Sequence, residues 1–402
     1  MSGATIDHMI SLTILIAALL IAMTTYNQMF ATAVDYDQNR QVATKAADLM
    51  NTICLSPGTP TDWGRTTSSL LSFGLQDPEA GGYALSPYSI MRLGTSSSSG
   101  GSQIVYYPKM GLYYNNLSAS YGHGVLTPLG DCVNYTDVAE LLGVNGTYGF
   151  SIDIVPTLDV SVSQVPDDDN LILQVEVRGS GLPLSGANLK YYLFPVDDLS
   201  VVPYSGVAET DSVGQALIEF GTIDEDEAFS FTVYVSIGGV DGVGYYTKNT
   251  ADSDFQYVVP FIQDYAEGEV ILAHGWDIFE DGSLHSAVQV NATFFILTSD
   301  FQLQEVDLDF TPALLNYGEG QPYLTTQIPS NEVGFLVISY EKATNKVGTV
   351  ILPWGVGTLG VTASFDIGSA PSDYDFVATE LRQVTIDGIS YQVKVSTWSL
   401  NG

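Results

Sequence analysis

From Met9 to Phe30 the chain runs MISLTILIAALLIAMTTYNQMF, 22 residues without one Asp, Glu, Lys or Arg. As an α-helix such a stretch rises about 33 Å, close to the roughly 30 Å hydrocarbon thickness of a bilayer. A helix apolar on every face must be buried in lipid or among other helices, so at least one element of this chain cannot face water. The pattern does not end at Phe30. Val42, Ala46, Leu49, Met50 and Ile53 recur at steps of three and four, which predicts an amphipathic extension toward Leu55. Pro57 and Gly58 then stop it. The expectation is a single helix of about 50 residues and about 75 Å, half apolar all round and half striped.

A cleaved secretory signal is the alternative, because Ala31-Thr32-Ala33 follows the apolar run in the manner of a small-residue cleavage site. The segment before Met9, however, carries Asp7 and no Lys or Arg, whereas a signal peptide needs a basic start. The helix is therefore expected to persist. Arg40 and Lys45 lie beyond it, and a charge count alone would keep that side in the cytoplasm. Long domains translocate largely regardless of flanking charge, so residues after about 31 are expected outside the cell.

Lys and Arg number 12 against 46 Asp and Glu, a net charge of −34, while only 14% of residues are charged. An ordinary soluble domain has about 25%, so the imbalance comes from missing bases. That field repels phosphate backbones, which excludes nucleic acid as a partner. With 45% hydrophobic and 11% aromatic residues the chain has the apolar surface that disordered sequences lack. Its 402 residues suffice for two or three folded units.

Beyond Leu55 the texture becomes short segments punctuated by Gly, Pro, Ser and Asp, with a break at residues 95–102. Ile104–Tyr107 and Gly149–Ile154 read as strands and Tyr135–Leu142 as a short helix. From Leu158 onward apolar residues step by two, as in Leu171, Leu173, Val175 and Val177 or Phe229, Phe231, Val233 and Val235. That period belongs to half-buried antiparallel strands, and the turn spacing is that of a sandwich. A second series runs to Leu400. The fold class expected is α+β: a long N-terminal hydrophobic helix followed by mainly antiparallel β structure in tandem immunoglobulin-like sandwiches. The units expected are 1–55 (helix), 56–155 (small mixed α/β), 156–253 (first sandwich) and 254–402 (second sandwich).

Chemistry-bearing motifs are sparse. His8, His123, His274 and His285 form no H-E-x-x-H, and neither a G-x-S-x-G elbow nor a Walker loop occurs, so no catalytic residues, metal or cofactor are expected. Gly355–Gly360 fits G-x-G-x-x-G, but an alternating segment follows where a dinucleotide site needs a helix. It reads as a hairpin connection. The clusters Asp167–Asp169 and Asp224–Glu227 lack the ligand order of a calcium loop and read as solvated turns. Cys54 and Cys132 are the two cysteines, and in an exported domain their simplest use is one disulfide. Asn116, Asn134, Asn145 and Asn291 match the glycosylation acceptor pattern.

The apolar helix introduced by Gly3-Ala4-Thr5-Ile6-Asp7, its amphipathic extension, the Ser56–Gly64 segment with Pro57, Pro60, Asp62 and Trp63, then Phe73–Leu75 and Tyr135–Phe150, resemble archaeal type IV pilin-like surface proteins. The likeness covers roughly residues 1–155. It implies processing between Gly3 and Ala4, helices bundled in a filament core or held in membrane lipid, and a β-rich part facing outward. Packing would fall to Ile10, Leu12, Ile14, Leu15, Ile16, Leu19, Leu20 and Ile21. Asp7 would pair with the N-terminal amine of a neighbouring subunit. The sequence departs from the family in lacking a basic residue before the cut. The expected partners are copies of the chain itself or membrane lipid, with surface glycans or neighbouring cells as adhesion targets. The alternative is a single-pass membrane-anchored binding protein.

Overall fold

A computed structural model describes residues 2–66, 68–93, 103–107, 112–117, 125–129, 133–166, 170–197, 199–221, 223–224, 226–251, 256–279, 282–298, 302–316, 323–343, 346–355, 363–366 and 374–400. The fold is α+β. One helix, Ser2–Leu55, precedes a series of mostly antiparallel sheets. Its 54 residues correspond to about 81 Å. The stripe legible in the sequence is its buried face: Val42, Ala46, Leu49, Met50 and Ile53 are all almost fully buried. Three residues after the helix ends, Gly58 takes a φ of +80°, a conformation that favours glycine. The chain then turns under the helix end, and Trp63 enters the core with its indole Nε1–H donating to the carbonyls of Pro57 and Gly74 at 3.0 and 3.1 Å.

The sheet against this helix is assembled from distant parts of the chain. Its order is Ala363–Phe365, Tyr148–Pro156, Ile389–Ser399 and Val377–Ile386, all antiparallel. Ala378 packs with Val42 and Ala46, and Arg382 donates from Nη1 to Asn51 Oδ1 at 2.8 Å. Trp398 lies over Gly149, where a Cβ would collide with the indole. The short helix Tyr135–Leu141, capped by Asn134, is pinned to this sheet. The Tyr135 ring stacks on Phe150 at 4.7 Å, and its hydroxyl accepts the Phe150 N–H at 2.9 Å.

Residues 158–248 form the expected sandwich. One sheet has the order Gln215–Phe220, Leu171–Gly179, Leu158–Val165; the facing sheet runs Tyr204–Glu209, Asn188–Asp197, Ala228–Ile237, Val240–Lys248. Alternate residues such as Leu171, Leu173, Val175 and Val177 fill the core between them. One side is drawn shut by Gly242 and Gly244, whose bare Cα atoms let Leu158 and Val160 approach.

The remaining strands make a third unit of two sheets. Gln103–Tyr107, Leu112–Leu117 and Val125–Leu129 join Val258–Asp264, Glu269–His274 and Tyr323–Gln327 in one sheet. Leu303–Val306, Val288–Leu297, Gly334–Ala343 and Lys346–Trp354 make the other. Tyr192, Phe194 and Val196 of the first sandwich pack on Phe295, Phe335, Val337 and Ile351 of this unit, so residues 192–196 of the strand Asn188–Asp197 are buried on both faces.

Two expected boundaries need correction. The range 254–402 is not one domain, since Val377–Ser399 returns to the helix and pairs with Tyr148–Pro156. The range 56–155 is likewise divided, with the strands Gln103–Tyr107, Leu112–Leu117 and Val125–Leu129 contributed to the third unit. The sandwich and most of the third unit are thus inserted between two halves of the sheet that covers the helix. Alternation marks a strand but carries no information on its partner, and here the partners lie more than 200 residues apart.

Candidate membrane or assembly surface

Every described side chain from Asp7 to Gln38 is exposed. Ile10, Leu12, Ile14, Leu15, Ile16, Leu19, Leu20 and Ile21 each show between 50% and 66% of their surface, around the whole circumference of the helix. The hydrophobic term that stabilises a core is therefore unrealised for this segment within one chain. Between Asp7 and Asp35 there is no Asp, Glu, Lys or Arg; those 27 intervening residues rise about 40 Å, near the full bilayer depth including its interfaces. The helix is long and apolar enough to cross a membrane by length and composition.

Its threonine hydroxyls are already satisfied. Thr13, Thr24, Thr25 and Thr32 turn them back onto the carbonyls of Met9, Leu20, Ile21 and Gln28 at 2.8 to 3.0 Å. This internal bonding removes the cost of placing hydroxyls in hydrocarbon or in a helix bundle. Charge resumes with Asp35 and Asp37, and a cleft of about 360 Å³ opens beside Tyr148, lined by Asp37, Arg40, Lys45 and Asp48. Asp7 is exposed near the other end of the span. Gly3 and Ala4 are helical in backbone, and their side chains lie outside the described residues.

The other expected sites fall differently. Cys54 carries a free thiol, contrary to the expected disulfide, and Cys132 lies outside the described residues. The reason is its place on the buried face of the helix, where its sulfur meets Met50 Sδ at 3.5 Å. Burial pushes its pKa up to about 11, against a smaller lowering by Arg382. Asn145 is exposed, its Nδ2 reaching Glu140 at 3.3 Å, and Asn134 is exposed but occupied as a helix cap. Asn116 lies in the strand Leu112–Leu117, its side chain outside the described residues. Asn291 departs from the acceptor expectation: it sits in the centre of a sheet and donates to the Leu199 carbonyl of the first sandwich at 3.1 Å. A glycan there would break the seam between the two units.

Among the described residues no three His, Cys, Asp or Glu side chains converge as metal ligands. His274 is fully buried; its Nδ1 accepts the Trp276 N–H at 3.1 Å, which leaves Nε2–H to donate to Ser286 O at 2.7 Å. That bonding holds a neutral structural histidine. Sequence reading misses Arg92, which is buried, lies 5.3 Å from the Trp63 ring and donates to the carbonyls of Trp63 and Thr66. A lone Arg in a Gly- and Ser-rich stretch carries no sign of this role.

No protein-family model matches the chain, and no curated protein does. Among solved structures it is similar to a red sea bream transglutaminase at 10% identity and a TM-score of 0.18, covering 61% of this chain and 37% of that one. The chain thus spans little more than a third of that protein's length. Fold and exposed surface define the class: an α+β chain whose apolar helix, suited to a membrane, carries a head of antiparallel β-sheets.

Proposed function

We propose that the chain is a non-enzymatic structural protein of the cell surface, a pilin-like subunit whose N-terminal helices form a filament core while the β units face outward for adhesion or display. The observation that carries this reading is the continuous exposed apolar helix from Met9 to Phe30 on an otherwise well-buried head. Such a surface gains about 25 cal/mol per Å² when identical helices cover it, and a projecting helix end is the geometry that permits mutual coverage. Asp7, next to that surface, supplies a charge for pairing between subunits. A single-pass anchor is the second reading, favoured by the 27 uncharged residues that match bilayer depth.

Shearing of cells separates the two: a filament subunit is released as fibres, an anchored protein stays in the membrane pellet. Asp7→Ala should reduce fibre yield while leaving membrane insertion intact. Unchanged fibre yield removes the pairing role, and retention of all wild-type protein in the pellet removes the filament.

A further inference from the structure

Three segments from two units of the molecule, the helix-bearing unit and the third unit, meet around a cleft of about 650 Å³. The loop after the helix contributes Arg65, Asp77 and Glu79; the third unit contributes Gln263, Tyr265 and Trp354; the tip of the C-terminal hairpin contributes Asp387. Five carboxylates line the cleft against one guanidinium, since Asp62 and Asp264 complete the set. Three rings form its floor: Tyr88 meets Tyr265 edge-on at 4.4 Å, and Tyr265 stacks on Trp354 at 4.7 Å. Arg65 lies over this floor, 5.0 Å from the Tyr88 centroid and 5.6 Å from that of Tyr265, and is held by Glu79 at 2.9 Å. The rings therefore already accept one guanidinium of this chain.

One acceptor in the cleft is unanswered, and a second stands where its charge is disfavoured. Gln263 Oε1 is shut off from solvent and receives no hydrogen bond. Asp387 is half-buried at the hairpin tip, and burial, with Asp77 as the second cause, raises its pKa from 3.8 to about 7 against the opposing pull of Arg65. An unmade bond at a buried acceptor is costly, so Gln263 Oε1 favours a donor brought from outside, and the Asp387 carboxylate favours a cation beside it. A bare metal ion does not fit that demand, because no three carboxylates among the described residues converge on a point. A donor-rich organic cation does: its N–H groups reach separate acceptors while its charge answers the acidic wall and its stem lies on the rings.

We infer that this cleft binds an organic cation of the primary ammonium or guanidinium class, with Asp387 and Gln263 as its acceptors beside the Tyr88–Tyr265 floor. The inference is independent of whether the helix enters a filament or a membrane. The same chemistry comes either from a free polyamine or from the Lys or Arg of an extended partner segment. Groups facing Asp387 are Arg65, Asp77 and Tyr88 from the helix-proximal loop, Tyr265 from the third unit and Tyr234 from the first sandwich. The tyrosines stay neutral, their pKa values raised chiefly by burial, so binding tightens as Asp387 ionises with rising pH through about 7.

The test is calorimetric titration of the full chain in phospholipid nanodiscs at physiological ionic strength and pH 8. One arm uses spermidine, the other an acetylated and amidated Gly-Lys-Arg-Gly peptide. The expected result is saturation at one ligand per chain, with the source given by the arm that saturates at lower concentration. Asp387→Asn should weaken binding at least about tenfold. Asn-Gly is a favoured hairpin turn and tolerates the positive φ found here, so this variant keeps the fold. Gln263→Met, which keeps shape and loses the acceptor, should weaken it as well. Absence of saturation in both arms, an unchanged isotherm for Asp387→Asn, or calcium chloride binding in place of the amines overturns the proposal.

Discussion

Between Asp7 and Gln38 the N-terminal helix is exposed at every described position, whereas from Val42 to Cys54 the same helix buries a regular stripe under the sheet that ends in Val377–Ser399. Backbone hydrogen bonding is alike in both halves. What differs is the arrangement of apolar residues, all round in the first half and on one face in the second. Helix formation therefore does not report whether a segment's partners lie inside the chain; the angular spread of its apolar residues does. The second half is covered by its own molecule, and the first half is exposed at every described position.

Changes of the same kind should act oppositely on the two halves. The largest effect is expected from Leu15→Arg combined with Leu19→Arg, since each charge at mid-span costs about 2.5–3.5 kcal/mol on insertion. Fractionation should show the chain leaving the membrane or fibre pool, while Gln41→Arg with Thr44→Arg, at exposed positions of the second half, leaves it in place. Ile53→Ala reverses the pattern: loss of a fully buried side chain should cost the head about 2–5 kcal/mol, read as a lower melting temperature, and Leu15→Ala should leave that melt unchanged.

The hairpin that covers the second half adds a pH dependence. Asp387 binds its proton more tightly in the folded state, with a pKa of about 7 against 3.8 for the ordinary group. Its contribution to stability is complete below about pH 4 and is lost as pH rises through about 7. Asp387→Asn should flatten that slope in denaturant titrations at pH 5 and pH 8. The smallest effect is expected from Arg382→Ala, which removes the bond to Asn51 and the stacking over Tyr83 and should cost about 1 kcal/mol.

Hydrophobic periodicity alone makes the helix, its buried stripe and the first sandwich legible. Val42, Ala46 and Ile53 lie where steps of three and four place them, and Leu171 to Val177 point inward as alternation requires. The C-terminal hairpin is not legible as part of the helix-bearing unit, because Val393 pairing with Ile154 is a contact across some 239 residues that no local pattern encodes. Cys54 illustrates the same limit, since a count of cysteines cannot tell a bridged sulfur from one packed on Met50. The cleft around Asp387 is equally hidden. Its residues are scattered from Asp62 to Asp387, and each is ordinary in its own neighbourhood.

Hydrogen–deuterium exchange on native material, comparing peptides that cover residues 9–30 with those that cover 42–55, tests the division of the helix most directly. Both peptides should be recovered and should exchange slowly in membranes or fibres, and only 9–30 should become fast once the chains are dispersed as monomers without lipid. Fast exchange of 9–30 in the native assembly, or its absence from the mature protein, would mean that this segment is not the buried half of a persisting helix.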